Sequence, residues 1–177
     1  MTTPAYVPVM ELIRAGLDPA SHQEGVHAPV DLPTGRVVAA AARADVDDDG
    51  MRNISLLAAG IAMAAIGLTA ELAGRRGQEP EEFLDSMEGA ARSDDGFDGN
   101  GELVQVLRGM LSDQGAAASE LMGQIFARDQ AQLFDLLVEF GAYCGTCIKL
   151  LERVFQVPVD EVLQDLEDML KETSPSS

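Results

Sequence analysis

Cys144 and Cys147 are the two residues of this chain whose type and spacing best suit chemistry. Three positions apart on a helix they share one face, and such a pair can close a redox disulfide or supply two metal ligands. A second candidate lies in Asp45-Val46-Asp47-Asp48-Asp49-Gly50, where Asp45, Asp47 and Asp49 match the first oxygen-donor positions of an EF-hand calcium loop. That match stops early. The position of the bidentate Glu is Leu56, and a usually apolar position is Arg52. An acidic loop that starts a helix is the expected role, with weak cation binding as the alternative. His22 and His27 could join the cysteines in a zinc set, but they lie in a distant segment broken by Gly and Pro. No Gly-rich phosphate loop, Ser/His/Asp set or paired catalytic carboxylates stands out, and two histidines give acid–base catalysis few candidates. No cofactor is expected.

The Cys144-Gly145-Thr146-Cys147 motif resembles that of the alkylhydroperoxidase D-like proteins, all-helical thiol enzymes with a C-x-x-C inside the bundle. The resemblance covers these four residues and the fold class, and it implies thiol chemistry at Cys144 and Cys147. The family's motif continues with a His four residues past the second Cys; here that position is Leu151. Nucleophilic cysteines favour helix N-termini, where the dipole lowers the thiol pKa, yet Cys144 falls about four turns past Asp129. Both cysteines also continue an apolar stripe through Leu133, Leu136, Phe140, Leu151 and Val154. Buried thiols act as small hydrophobes, so core packing is the first expectation, redox chemistry the second and metal binding the third.

The elements that must carry these residues are helical. The 177 residues are 46% hydrophobic but only 5% aromatic, with no Trp, so the core is built from Ala, Leu, Val, Ile and Met. Composition and periodicity together predict an all-α bundle of about 6–8 helices in a single domain. Residues 1–50 read as an irregular N-terminal segment with a short helix over 9–17, stopped by Asp18-Pro19. Residues 20–43 are open between strand and helix, with a helix preferred for Arg36 to Ala44. The uncharged run Asn53–Ala70 approaches the length of a membrane span, but it is rich in Ala and Gly and fits a central bundle helix.

Pro80-Glu81-Glu82 opens an amphipathic helix that turns Phe83, Leu84, Met87 and Ala91 inward. Residues 93–101 read as an exposed loop, followed by a helix with Leu103, Val106, Leu107 and Met110 on one face. Helical periodicity then runs from Gly115 almost to Gln156, with a break expected where Asp129 can cap a new helix. Residues 159–172 form a second acidic amphipathic helix, and 173–177 a disordered tail. A displacement of 79 residues sets Ile61 on Phe140, Leu68 on Cys147 and Glu82-Phe83-Leu84 on Glu161-Val162-Leu163. Two similar helix–loop–helix halves are therefore expected, a hairpin over 51–92 and another over 113–172, joined by a loop and connecting helix over 93–112.

Charge narrows the partners. With 30 acidic against 12 basic side chains the net charge is −18. A field of that sign repels nucleic acid and anionic membranes and attracts a basic protein. The candidate partner surface is Glu81, Glu82, Asp85 and Glu88 on the first acidic helix, with Asp160, Glu161, Asp165 and Asp168 on the second. Residues 1–16 lack a basic stretch followed by a continuous apolar core, which sets the expectation of a cytoplasmic protein. The leading functional expectation is a non-enzymatic interaction or regulatory protein, with homodimerisation open. Its competitors are a thiol-dependent redox protein using Cys144 and Cys147, and a binder of a small apolar ligand between helices lined by small residues.

Overall fold

The computed structural model describes residues 4–22, 29–47, 52–93, 101–112, 123–124 and 127–173. Among them the chain is all-α, with seven helices and no strand: α1 (Tyr6–Leu17), α2 (Pro33–Asp47), α3 (Arg52–Arg76), α4 (Pro80–Ser93), α5 (Gly101–Ser112), α6 (Gln130–Phe155) and α7 (Val159–Thr173). Two short 3-10 turns, Pro19–His22 and Pro29–Asp31, lie between α1 and α2. Ser93 and Gly101, expected in a loop, and Thr173, expected in a disordered tail, are helical; the rest of that loop and tail falls outside the described residues, as does the greater part of 113–126.

The first fifty residues carry a helix in each of the two places where one was read, α1 beginning at Tyr6 rather than Val9 and α2 at Pro33 rather than Arg36. Breakers there delimit elements rather than prevent them. At the end of α1, Asp18 is extended ahead of Pro19, and the last carbonyls are claimed by side chains from the following turn. Ser21 Oγ donates to the Ala15 carbonyl at 2.7 Å and His22 Nε2 to that of Gly16 at 2.8 Å. Pro33 stands at the first position of α2, where its missing N–H costs nothing.

Helices α3 and α6 form the centre. They lie side by side and run in the same direction: the Thr69 hydroxyl meets that of Tyr143, and Arg75 lies over the Phe155 ring. Three of their four ends are explained by residues next to them in sequence. Asp129 caps α6 by accepting from the N–H groups of Ala131 and Gln132. The α3 N-terminus is capped from further away, by Asp45 near the end of α2. At the C-termini, Gly77 and Gln156 are both left-handed, with φ of 66° and 56°.

A displacement of 79 residues carries Arg76, the last residue of α3, onto Phe155, the last of α6; it also carries Gly77 onto Gln156 and Pro80 onto Val159. Buried positions follow the same displacement. Leu57, Ile61, Ala65, Leu68 and Leu72 map onto Leu136, Phe140, Cys144, Cys147 and Leu151, all buried. Around this pair, α4 buries Phe83 and Leu84, α5 buries Leu103, Val106 and Leu107, and α7 buries Val162, Leu166 and Leu170. Those are the faces their periodicity sets.

Helix α1 lies across α6 at a backbone-to-backbone contact. A Cβ placed on Gly145 would stand 2.0 Å from the Gly16 carbonyl oxygen, and one placed on Gly16 would stand 1.8 Å from that of Gly141. No side chain fits there, so glycine is required on both helices. Of the described helices, α3 is the one long and apolar enough to cross a membrane by length and composition, and 56% of its apolar window is buried inside the bundle.

Candidate functional site: the buried thiols and the acidic helix faces

Cys144 and Cys147 sit in the middle of α6, and both are free and fully buried. The Tyr143 hydroxyl lies beside Cys147, and the Thr69 hydroxyl beside that of Tyr143. Thr69 Oγ1 donates to the Ala65 carbonyl of its own helix at 2.7 Å and lies 2.7 Å from the Tyr143 hydroxyl. Thr69 has one hydrogen, and the carbonyl takes it, so Tyr143 is the donor to Thr69. The Met87 sulfur of α4 lies 4.0 Å from the same phenol oxygen.

This setting works against thiolate chemistry. Burial pushes the Cys147 thiol up to about 12, only partly offset by the Tyr143 hydroxyl beside it. Burial, and then the neighbouring Cys147, holds Cys144 well above the ordinary thiol value. The Tyr143 phenol is raised as well, by burial first and by the thiols next to it second. All three groups are therefore neutral at physiological pH, whereas a thiol attacks a disulfide or binds a metal as the anion. The next turn offers no base: Leu151, where the resembling family carries His, is buried and apolar. His22 ends the 3-10 turn after α1 with its ring held by the Gly16 carbonyl, and His27 lies outside the described residues.

The calcium-loop pattern does not form a loop where it is described. Asp45 and Asp47 belong to α2, which continues through both. Asp45 is buried and turned onto the start of α3. One carboxylate oxygen accepts from the Asn53 N–H at 2.7 Å and the Asn53 side-chain amide at 3.0 Å, the other from the Ile54 N–H at 2.8 Å. An anion at a helix N-terminus satisfies orphan donors and the dipole together. Asp47, two residues on, is exposed, and Asp49 lies outside the described residues. Among the described residues no three His, Cys, Asp or Glu side chains cluster as a metal site.

The acidic candidates are on the surface. Glu81, Glu82 and Asp85 on α4, and Asp160, Glu161, Asp165 and Asp168 on α7, are exposed; Glu88 belongs to α4, with its side chain outside the described set. Three of them have internal partners, Glu82 accepting from the Glu79 N–H at 3.3 Å. Asp85 pairs with Arg108 of α5, and Asp168 lies 3.5 Å from Lys171 and accepts from Gln164. Glu81, Glu82, Asp160 and Glu161 occupy the first turns of the two helices, at positions matched by the 79-residue displacement. Since α3 and α6 run in the same direction and end together, both acidic first turns emerge at one end of the bundle.

Sequence reasoning found the thiols and the acids but missed the Thr69–Tyr143 pair, the cap formed by Asp45 and the role of Gly16. A hydroxyl-bearing Tyr next to two cysteines in an apolar run was the available signal for the first. Nothing local marks the other two, because each depends on a distant helix. Neither family models, curated proteins nor solved structures give a match to this chain.

Proposed function

We propose that this chain is a non-enzymatic interaction protein that presents the acidic faces of α4 and α7 to a basic protein partner. The observation that supports it most is the pairing of exposed carboxylates, Glu81-Glu82 with Asp160-Glu161, on two helices that start at the same end of the bundle. A partner with lysines or arginines at matching spacing would meet both at once. Its approach would be steered by the −18 net charge and weakened by salt. The same charge disfavours nucleic acid as a partner. Two free, buried cysteines suit a reducing compartment, so we place the protein in the cytoplasm.

The two hairpins, α3–α4 and α6–α7, are in this reading products of an internal duplication. Agreement of helix ends, left-handed caps and buried positions at one displacement supports it. Duplication would give the protein two copies of one acidic recognition element.

The competing readings have less behind them. Thiol chemistry needs a thiolate where burial keeps the thiols protonated. For a ligand cavity, the space beside Gly141 and Gly145 is taken by α1.

Binding of a fluorescent oligo-arginine helical peptide to the full chain tests the proposal. Neutralising Glu81, Glu82, Asp160 and Glu161 to their amides is expected to weaken binding at least tenfold. Neutralising four carboxylates elsewhere, such as Glu11, Asp18, Asp31 and Asp47, should weaken it far less. Equal loss in the two variants would reduce the effect to net charge and sink the proposal.

A further inference from the structure

Among the described residues, helix α3 keeps one side open. Ala59, Met63 and Ala70 are exposed along a single face, with Ser55 one turn ahead, and no charged residue falls between Arg52 and Glu71. The 79-residue displacement carries Ala59 onto Val138, Met63 onto Ala142 and Ala70 onto Lys149. On α6 those positions are buried or half-buried, beside the place where Gly16 of α1 lies against Gly141 and Gly145. Two similar long helices thus differ in cover: α1 lies across α6, while Met63 on α3 remains 38% exposed.

We propose that the open side of α3 is a homodimer interface, on which α3 of a second copy of this chain packs antiparallel about a twofold axis between Ala59 and Met63. Charge selects the occupant. Across most of the surface of a chain carrying −18, two copies would set carboxylates against carboxylates. The Ser55–Ala70 face has no charge, so two copies meet there without that repulsion. A basic partner gains nothing from it. A bilayer gains little, because a partly exposed Met63 is its one large apolar side chain and an anionic membrane repels the chain. A twofold contact is self-complementary, and antiparallel pairing sets Arg52 of each copy level with Glu71 of the other, at both ends of an apolar seam. Small side chains at Ser55, Ala59 and Ala70 let the two backbones approach closely. The proposal is independent of the acidic-face reading, since α4 and α7 play no part in it.

Sedimentation equilibrium of the full chain is expected to give twice the 18.8 kDa chain mass. Met63→Glu, which sets a carboxylate against its own copy, is expected to give a monomer with unchanged helical circular dichroism. Met63→Cys supplies a readout that needs no disruption. The native cysteines are buried, so a dimer covalently linked on mild oxidation reports contact at position 63. A wild-type chain that stays monomeric up to high micromolar concentration overturns the proposal. So does a dimer that keeps its mass in Met63→Glu, or a Met63→Cys chain that oxidises without cross-linking.

Discussion

Fully buried thiols should be invisible to reagents until the bundle opens. Cys144 and Cys147 are expected to resist alkylation in the native protein at neutral pH and to react at once in denaturant; rapid native labelling would revive the redox reading. Their elevated pKa values also have a sign that can be followed. Below pH 9 the folded and unfolded chains hold the same thiol protons, and nothing is lost. Between the ordinary 9.0 and about 12, the unfolded chain releases the Cys147 proton while the folded chain keeps it. Stability therefore falls as pH rises, by up to about 1.4 kcal/mol per pH unit for each such group. Cys144 adds to the slope, and above pH 10 so does Tyr143, both being raised in the same direction. Urea midpoints at pH 8 and pH 10.5 measure the fall, and Cys144→Ala/Cys147→Ala should flatten it. At this scale the sequence was informative about burial, because both cysteines continue the stripe from Leu133 to Leu151, although Val154, read as its end, is exposed. It was silent on Asp45, whose three hydrogen bonds go to Asn53 and Ile54 at the start of the next helix. An acidic run next to an apolar helix looks the same in sequence whether its carboxylates hold a cation, water or a helix end.

Helices were legible where their own residues end them and opaque where a neighbour decides. Asp129 capped α6 where a side-chain acceptor was expected, and the acidic starts of α4 and α7 fell at Pro80 and Val159. The contact of α1 on α6 could not be read, since Gly16 among apolar residues gives no hint of its partner. Two glycine substitutions should separate crossing from propensity. Gly145→Ala drives a methyl into the α1 backbone, which cannot yield as a side chain would, and should cost on the order of 1–3 kcal/mol. Gly67→Ala meets only the Met169 sulfur at 3.5 Å and should stabilise α3 by about 0.5–1 kcal/mol. Chemical denaturation of the two variants checks both signs, and equal effects would dismiss the crossing as the cause. Gln156→Gly is expected to add up to about 1 kcal/mol, because Gln156 holds a left-handed conformation that its counterpart Gly77 adopts freely.

The molecule as a whole carries more negative charge than its fold requires. The described ion pairs are few for a chain with 30 acidic side chains, and they lie on the surface, as between Lys171 and Glu167 at 2.8 Å. Exposed pairs of this kind contribute little. Mutual repulsion of the remaining carboxylates strains the compact state, and salt screens it. Moving from low to physiological ionic strength should raise stability by on the order of 1 kcal/mol, or about 2–4 °C in Tm for a chain of this length. A calorimetric midpoint that stays level or falls with salt would show that the surface charges are already compensated. Fold class was legible at this scale because an Ala- and Leu-rich, Trp-free composition leaves helices as the economical way to fill a core. The direction of α3 beside α6 was not, since it depends on contacts such as Thr69 with Tyr143 that join the two halves.

The glycine crossing also bears on the order of events at the ribosome. Helix α1 is made first, yet its principal seat, the Gly141–Gly145 turn, is synthesised late. Until then Leu12 and Ile13, both fully buried in the finished bundle, have α2 and α3 to pack on but lack α6, the helix α1 meets most closely. A nascent chain stalled before residue 141 should hold an apolar N-terminal helix open to chaperones, and one released beyond residue 155 should withdraw it.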